Sequence, residues 1–214
     1  MAKARILITG GAGYLGTVFT EHFLNSGYEV TVLDNLMYNQ TSLFHLCHRP
    51  EFKFVCGDVR NTEVMKELLK DQDIIIPLAA IVGAPACNKN PEVTEAINLN
   101  SIRELIKLKS PEQKIIFPTT NSGYGTKSGE VHCTEESPLE PISLYGKTKV
   151  MAEKELLEGG NAITLRLATI FGFSLRMRLD LLVNDFVYKA FKDRYIVLFE
   201  KDFKRNFLHI RDAA

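Results

Sequence analysis

Residues 4–16 read ARILITGGAGYLG, and the rest of the chain is best interpreted outward from them. The apolar run at 4–9 passes directly into closely spaced glycines, after which Leu15, Phe19 and Phe23 follow at helical spacing. A strand, a glycine-rich turn and a helix in this order place a helix N-terminus where it can face the phosphates of a dinucleotide. The opening of the chain therefore predicts a dinucleotide-binding turn.

Two registers of glycine fit this turn. Gly11, Gly13 and Gly16 satisfy GxGxxG, whereas Gly10, Gly13 and Gly16 satisfy GxxGxxG. Either way, one glycine turns tightly, one admits the pyrophosphate and one packs the helix on the strand. Asp34 ends the second apolar run, where a carboxylate accepts hydrogen bonds from the adenosine ribose and repels a 2′-phosphate, which favours NAD over NADP. The alternative is a purely structural turn with Asp34 as a helix N-cap.

Further short apolar runs alternate with segments of helical spacing. The runs lie at 29–33, 52–56, 73–76, 114–118 and 162–167. Strands that are apolar throughout are expected where helices cover both faces of a sheet, so the sequence predicts an α/β fold with a Rossmann-type doubly wound parallel sheet. After residue 171 a helix is expected at 175–192 and short strands at 195–199 and 207–210. We predict an NAD-binding domain over 1–172 and a partial, smaller C-terminal substrate lobe over 173–214.

Composition excludes several other classes of protein. The chain has 214 residues, 26 Lys plus Arg and 26 Asp plus Glu, so we expect neither a nucleic-acid partner nor an anionic membrane surface. The longest apolar stretch, 74–86, is shorter than the ~20 residues that span a bilayer, and a cytoplasmic protein is expected. The spacing of the four cysteines predicts free thiols, and a polar helix accounts for His45, Cys47 and His48 without a metal.

Two tyrosine-lysine pairs have the spacing that places a phenol and an ammonium one helical turn apart. They are Tyr145 with Lys149 and Tyr188 with Lys192. Tyr145 opens the helical segment after the fifth run, which ends in Thr119 and Thr120, and open α/β sheets bind ligands at the carboxyl ends of their strands. We therefore assign catalysis to Thr120, Tyr145 and Lys149, and expect Tyr188 to pack within the second lobe.

The catalytic assignment carries an electrostatic expectation. A phenol with an ordinary pKa near ~10 is a weak base at pH 7. Lys149 and the positive nicotinamide ring of NAD would both favour the phenolate and so lower the pKa of Tyr145. Thr120 would hydrogen-bond the same substrate hydroxyl, which leads to hydride transfer from a secondary alcohol.

Several different short motifs are distributed along the whole chain. They are TGGAGYLG at 9–16, Asp34-Asn35, Gly57-Asp58-Val59, Leu78-Ala79-Ala80, TTNSGYG at 119–125, YGKTK at 145–149 and RNFLH at 205–209. Together they resemble the extended short-chain dehydrogenase/reductases, specifically the NAD-dependent nucleotide-sugar epimerase/dehydratase family. The stretches at 133–149 and 166–186 are similar to a bacterial subgroup that includes a GDP-heptose 4-dehydrogenase.

This resemblance implies a set of site residues and partners. It implies pyrophosphate binding at Gly10, Gly13 and Gly16. Its further cofactor contacts are Tyr14, Leu15, Asp34, Asn35, Asp58, Val59, Leu78, Ala79, Ala80, Asn98, Thr119, Tyr145 and Lys149. A nucleotide-diphosphate sugar would meet Thr120, Asn121, Asn184 and Arg205, with Arg205 on the diphosphate. Helices near 93–108 and 145–157 would form a homodimer by four-helix packing or simply cover the sheet.

Departures from the family pattern narrow the expected chemistry. Related 4,6-dehydratases carry Asp and Glu after the catalytic threonine, where this chain has Asn121 and Ser122, so dehydration is disfavoured. Val82 stands where some epimerases have Lys or His near the nicotinamide ribose. Members of the family usually reach about 300 residues or more, so the small lobe is expected to be truncated.

The expected function is NAD-dependent oxidation or epimerisation at C4 of a nucleotide-linked sugar through a 4-keto intermediate. The alternative is an NAD-binding sensor, or a catalytically impaired fragment, with the same fold. Three side-chain roles stay open at this point. Asp58 either reaches the adenine or caps the next helix, Cys87 either touches the sugar or packs as a small hydrophobe, and Arg176 with Arg178 faces either a substrate phosphate or solvent.

Overall fold

A computed structural model describes residues 3–125, 132–199 and 201–214. Six strands form the main sheet: β1 (Arg5–Thr9), β2 (Glu29–Asp34), β3 (Phe52–Cys56), β4 (Ile74–Pro77), β5 (Lys114–Thr120) and β6 (Ala162–Leu167). They pair in parallel in the order β3-β2-β1-β4-β5-β6. The predicted α/β, Rossmann-type sheet is confirmed, and its strand order reverses between β1 and β4, where doubly wound folds bind ligands.

Helices connect these strands. They are α1 (Tyr14–Asn25), α2 (Thr62–Leu69), α3 (Ala84–Lys89), α4 (Pro91–Glu95), α5 (Ser101–Leu108), α6 (Leu144–Glu158), α7 (Leu182–Asp193) and α8 (Ile210–Ala213). A π-helical segment, Ala96–Asn100, joins α4 to α5, and 3-10 turns lie at Phe44–Leu46 and Asn121–Tyr124. None of the helices in the described part of the chain has the length and apolar character needed to cross a membrane.

The core lies on both faces of the sheet. Leu7 belongs to a cluster with residues of α2, α5 and α6, whereas its neighbours Ile6 and Ile8 belong to a cluster with residues of α1. Successive side chains of a strand point to opposite faces. Both faces of β1 are therefore buried, which is why its sequence is apolar throughout.

The part of the chain after β6 differs from its prediction. A small parallel sheet forms from β7 (Thr169–Phe171), which the sequence did not predict, and β8 (Phe207–His209), which it did. This pair joins residues on either side of the predicted boundary at 172, and the division into two domains stays a prediction.

Two element predictions in the same part of the chain are wrong. Residues 195–199 form no strand, because their β-forming side chains have no neighbouring strand among the described residues and propensity alone does not make a sheet. The helix predicted from 175 begins at Leu182. The segment before this helix is not helical, and within it the Arg178 side chain donates a hydrogen bond to the Asp180 carboxylate.

Candidate active site

The glycine turn between β1 and α1 requires glycine for steric reasons. Gly10 has φ +71°, and a Cβ atom there would lie 2.6 Å from the backbone nitrogen of Ala79 on the neighbouring segment. A Cβ at Gly16 would lie 2.5 Å from the carbonyl oxygen of Gly10, and one at Gly13 would lie 3.0 Å from the same atom. Gly10, Gly13 and Gly16 all line one cavity, whereas Gly11 packs against β2. The geometry therefore supports the GxxGxxG register.

The start of α1 opens onto this cavity. Gly13 is its N-cap and supplies no side chain, so the first backbone N–H groups of the helix keep their capacity to bind an anion. Tyr14 also lines the cavity, but its hydroxyl donates to the carbonyl oxygen of Gly172 at 2.7 Å and accepts a bond from the Asn184 amide at 3.1 Å. Tyr14 thus ties α1 to the chain after β7.

Asp34 lies at the carboxyl end of β2, as predicted, and it lines the cavity. Its carboxylate accepts hydrogen bonds from the backbone N–H groups of Ala12 at 3.0 Å and Leu36 at 2.8 Å. The first bond fixes the glycine turn to β2. Burial raises the pKa of Asp34, partly offset by these bonds. No helix begins at Asp34, so the N-cap interpretation is wrong.

Asp58 follows β3 and also lines the cavity. It does not cap α2, because Asn61 is the N-cap and accepts from the backbone N–H groups of Glu63 and Val64. Asp58 instead accepts hydrogen bonds from the guanidinium of Arg60 and the amide of Asn35, and the Arg60 bond is the main reason that its pKa falls to about 2. The capping alternative is wrong, and Asp58 remains a candidate cofactor contact.

The cavity has a volume of about 800 Å³ and follows the carboxyl ends of the strands. It is lined by almost all predicted cofactor residues: Gly10, Gly13, Tyr14, Leu15, Gly16, Asp34, Asn35, Asp58, Val59, Leu78, Ala79, Ala80, Thr119, Tyr145 and Lys149. Asn98 is not among the lining residues. Its amide is buried and binds both the N–H and the carbonyl oxygen of Ile81, so it positions a lining residue.

The three predicted catalytic residues meet on the same cavity. Thr120 ends β5, and its hydroxyl oxygen accepts from the backbone N–H of Ser122 at 3.1 Å. Tyr145 lies in the first turn of α6, capped by Ser143, and Lys149 lies one turn further. The Lys149 ammonium donates to the carbonyl oxygen of Pro118 at 2.9 Å.

Two hydroxyl groups in this wall are poised for a ligand. Across residues 3–125, 132–199 and 201–214, no side chain or backbone group hydrogen-bonds the Tyr145 hydroxyl. The Thr119 hydroxyl oxygen is buried and also lacks a partner within the described chain. Buried polar groups in folded proteins are nearly always paired, so the Thr119 oxygen fits a polar ligand in the cavity, and the Tyr145 hydroxyl on the same cavity is open to the same ligand.

The electrostatics differ from expectation. Burial raises the pKa of Tyr145 to about 12, and the charge that lowers it is Arg178 rather than Lys149. Burial lowers the pKa of Lys149 to about 7, with Glu153 opposing the change. The expected activation of Tyr145 by Lys149 is therefore not found, because Lys149 is itself buried and burial disfavours its charge.

Two predicted substrate residues lie away from the cavity. The Asn184 side chain is buried and bound to the Gly172 N–H, the Tyr14 hydroxyl and the carbonyl oxygen of Arg178. Arg205 is exposed in the segment before β8. Thr120 and Asn121 do line the cavity. The structure thus brings together two of the four predicted substrate contacts.

Residues 176–181 line the cavity although the sequence assigned them to a helix. Arg178 pairs with Asp180, and Arg176 lies over the Tyr38 ring at 5.0 Å. In the sequence, the only indication that this segment lines the cavity was its pair of arginines, Arg176 and Arg178. The structure favours the interpretation in which these arginines face a ligand site over the one in which they face solvent.

Three remaining sequence features fall outside the cavity. Tyr188 is 41% exposed on α7, so the prediction that it packs within the lobe is wrong. Cys87 is fully buried, and its thiol contacts the carbonyl oxygen of Ile81, which favours the small-hydrophobe interpretation. Across the described ranges, no group of three His, Cys, Asp or Glu side chains is arranged to hold a metal ion.

Comparison with known sequences identifies the family. A profile described as the NAD dependent epimerase/dehydratase family matches residues 6–214. The chain belongs to this family. The family is NAD-dependent, which confirms the predicted cofactor class, and it supports the assignment of an enzyme.

Curated relatives include two sugar-nucleotide epimerases. The chain is 24% identical to a putative UDP-glucose 4-epimerase of Methanocaldococcus jannaschii over 98% of this chain and 70% of that protein. It is 29% identical to the UDP-glucose 4-epimerase of Lactobacillus helveticus over 70% of this chain and 45% of that protein. The matched regions therefore span 70% of the first relative's length and 45% of the second's.

Solved structures agree with the fold. The UDP-glucuronic acid 4-epimerase of Bacillus cereus, solved with UDP-glucuronic acid and NAD, has a TM-score of 0.83 and 28% identity, covering 98% of this chain and 70% of that one. The dTDP-glucose 4,6-dehydratase of Bacillus anthracis, solved with NAD, has a TM-score of 0.86 and 25% identity, covering 98% and 69%.

Proposed function

We propose that this chain uses NAD to oxidise the C4 hydroxyl of a nucleotide-linked sugar to a 4-keto sugar, which is then either returned with inverted configuration or released. One observation carries this proposal. Thr120, Tyr145 and Lys149 line the same cavity as the glycine turn and Asp34. This shared cavity supports the proposal that a proton acceptor and a dinucleotide cradle lie on one continuous wall.

The residues present fit NAD. The uncapped start of α1 suits the pyrophosphate, and Asp34 suits the adenosine ribose. A volume of about 800 Å³ lies within the range of cofactor sites. When bound, NAD supplies the hydride acceptor.

The protein side of the reaction is proton transfer and orientation. Thr120 would hydrogen-bond the C4 hydroxyl and hold it toward Tyr145. The Tyr145 phenolate would take the hydroxyl proton. Because burial raises the pKa of Tyr145, the phenolate needs nearby positive charge, and the chain offers Arg178 and the protonated form of Lys149.

The residues beside Thr120 bear on which reaction follows oxidation at C4. Asn121 and Ser122 line the cavity where dehydratases need an acid and a base, and neither side chain can carry out both proton transfers. We therefore favour epimerase or 4-dehydrogenase activity over dehydration. The sequence similarity to a subgroup with a GDP-heptose 4-dehydrogenase makes a GDP-linked sugar one candidate. The homodimer and the cytoplasmic location stay predictions from the sequence.

The test is a product analysis. The protein would be incubated with NAD and, separately, UDP-glucose, UDP-glucuronic acid and a GDP-linked heptose, while NADH absorbance and sugar configuration are followed. A C4-inverted sugar without net NADH would establish epimerisation, and net NADH with a keto sugar would establish the dehydrogenase. No turnover of any nucleotide sugar would contradict the proposal.

A second candidate, an NAD-binding sensor or impaired fragment, is favoured by one observation. Asn184 and Arg205, the two residues expected to hold the sugar diphosphate, do not line the cavity. Titration calorimetry separates the candidates. A chain that binds NAD but releases no heat with any nucleotide sugar would support the sensor or fragment.

A further inference from the structure

Glu153 is a buried carboxylate that the proposed reaction does not use. It lies in α6 four residues after Lys149, so the two side chains share one face of the helix. Both are buried, Lys149 at 5% exposure and Glu153 at 3%. Burying a carboxylate and an ammonium costs desolvation free energy unless opposite charges nearby compensate for it.

Glu153 is held in place from the neighbouring strand. Its Oε1 atom accepts from Arg166 Nε of β6 at 2.8 Å and from the Thr164 hydroxyl at 3.4 Å. Arg166 in turn donates to the Tyr124 hydroxyl at 3.1 Å and to the carbonyl oxygen of Glu135 at 2.9 Å. Arg166 therefore holds the Glu153 carboxylate in position, and Arg166 is itself held by its two other hydrogen bonds.

The second oxygen of Glu153 is unusual. Oε2 is buried and has no hydrogen-bond partner within the described chain. Paired buried oxygens are the rule, so Oε2 is left free to face a further polar or charged group while Arg166 holds Oε1. Burial lowers the pKa of Lys149, and the Glu153 carboxylate one helical turn away opposes that change.

We propose that Glu153 is a positioning residue for Lys149: its carboxylate, clamped by Arg166, is the counter-charge that sets how readily the Lys149 ammonium gives up its proton. This inference rests on the catalytic role proposed for Lys149. Glu153 does not line the cavity, so it would act on the reaction only through Lys149.

Other groups near this pair come from several elements. Tyr145 of α6 faces the cavity with Arg178 from residues 176–181 and Cys87 from α3 acting on it. Below Lys149, β5 presents the uncharged Phe117 ring and Pro118 carbonyl oxygen. From α5, Arg103 is paired with Glu155. Among the described residues, the acidic group that acts on the charge of Lys149 is Glu153, which is paired with Arg166.

The test measures Lys149 without any substrate. The full chain is treated with an amine-acylating reagent over a range of pH, and the extent of modification at Lys149 is read by peptide mass spectrometry, with exposed Lys147 as an internal reference. Glu153→Gln keeps the shape of the side chain and removes its charge. We expect the pH at which Lys149 is half-modified to fall by about one unit.

Glu155→Gln is the matched control, because it makes the same change on the same helix in a carboxylate paired with Arg103. We expect its Lys149 midpoint to equal that of the parent protein. An unchanged midpoint in Glu153→Gln, or an equal fall in both variants, would overturn the proposal. Because no substrate is involved, this result stands whether or not a nucleotide sugar is turned over.

A second variant covers the case in which Glu153→Gln does not fold. Arg166→Gln leaves the Glu153 carboxylate without its cation, so Lys149 becomes its main positive neighbour. The midpoint of Lys149 should then rise above that of the parent protein. A midpoint that stays or falls in folded Arg166→Gln would contradict the role of Glu153.

Discussion

Apolar side chains are buried in the six-stranded sheet and largely exposed in the segment from 173 to 207. In the sheet, Leu7 and Ile75 are fully buried between helices. In the later segment, Phe173 is 66% exposed, Phe191 74% and Phe199 85%. Similar residue types therefore have opposite environments, which shows that apolar sequence leads to burial only where a second layer covers it.

The same difference separates the predicted site residues. The three predicted catalytic residues lie on β5 and α6 beside the glycine turn and meet with it on one cavity, whereas Asn184 and Arg205 belong to the later segment and do not line it. Residues on the sheet edge are positioned by strand pairing, and those after it depend on a path that the sequence pattern does not specify. Four experiments test whether the two regions differ in this way.

The largest effect is expected at Tyr145. Tyr145→Phe removes the proton acceptor, so turnover of the nucleotide sugar identified by product analysis should fall by about 10²-fold or more while NAD binding persists. Tyr188→Phe is the matched control, because it alters the other tyrosine-lysine pair, which is on exposed α7. Steady-state kinetics measure both. Equal losses in the two variants would refute the choice of Tyr145.

The glycine turn gives the next largest effect. Gly10→Ala places a methyl group 2.6 Å from the backbone of Ala79 at φ +71°, so we expect a loss of about 3 kcal/mol in unfolding free energy and weaker NAD binding by more than tenfold. Gly27→Ala has a similar positive φ, +88°, with no atom within 4 Å. It should cost only the strain, about 1–2 kcal/mol.

Urea denaturation and NAD titration of the two glycine variants separate strain from collision. Unchanged NAD affinity in Gly10→Ala would show that this turn does not cradle the cofactor. A loss of NAD affinity in Gly27→Ala would show that backbone strain far from the cavity suffices.

Lys149 should make stability depend on pH. Its pKa is about 7 in the folded protein against 10.5 for an ordinary lysine. Between these values the unfolded chain binds the extra proton, so the unfolding free energy should rise with pH by up to about 1.4 kcal/mol per unit. Lys149→Met should remove this contribution. Denaturation at pH 7, 8 and 9 measures the slopes, and identical slopes would contradict the burial of a neutral amine.

The smallest effect compares two arginines. Arg178 lines the cavity and Arg205 is exposed outside it, so Arg178→Ala should weaken binding of UDP by about tenfold and Arg205→Ala should leave it nearly unchanged. Calorimetry with UDP measures both. A larger loss for Arg205→Ala would restore the diphosphate role that the family resemblance implies for it.

The sequence predicted the sheet well because local patterns control it. Each main strand lies within about two residues of its apolar run, and Asp34 and Thr120 end strands as expected. The residues after 171 were predicted less well. The strand at 195–199 was wrong, since β-branched and aromatic residues predict a strand only where a neighbour completes the pairing.

The chain's own residues determined the strand-turn-helix order and the location of a phenol and an ammonium one turn apart, because each depends on spacing within a few residues. Tertiary structure alone decided which charges reach those groups. The charge of Arg178 acts on Tyr145 from a segment far along the chain, and Arg166 of β6 binds the Glu153 carboxylate on α6. Electrostatic interaction depends on distance and burial, and neither is written in residue spacing.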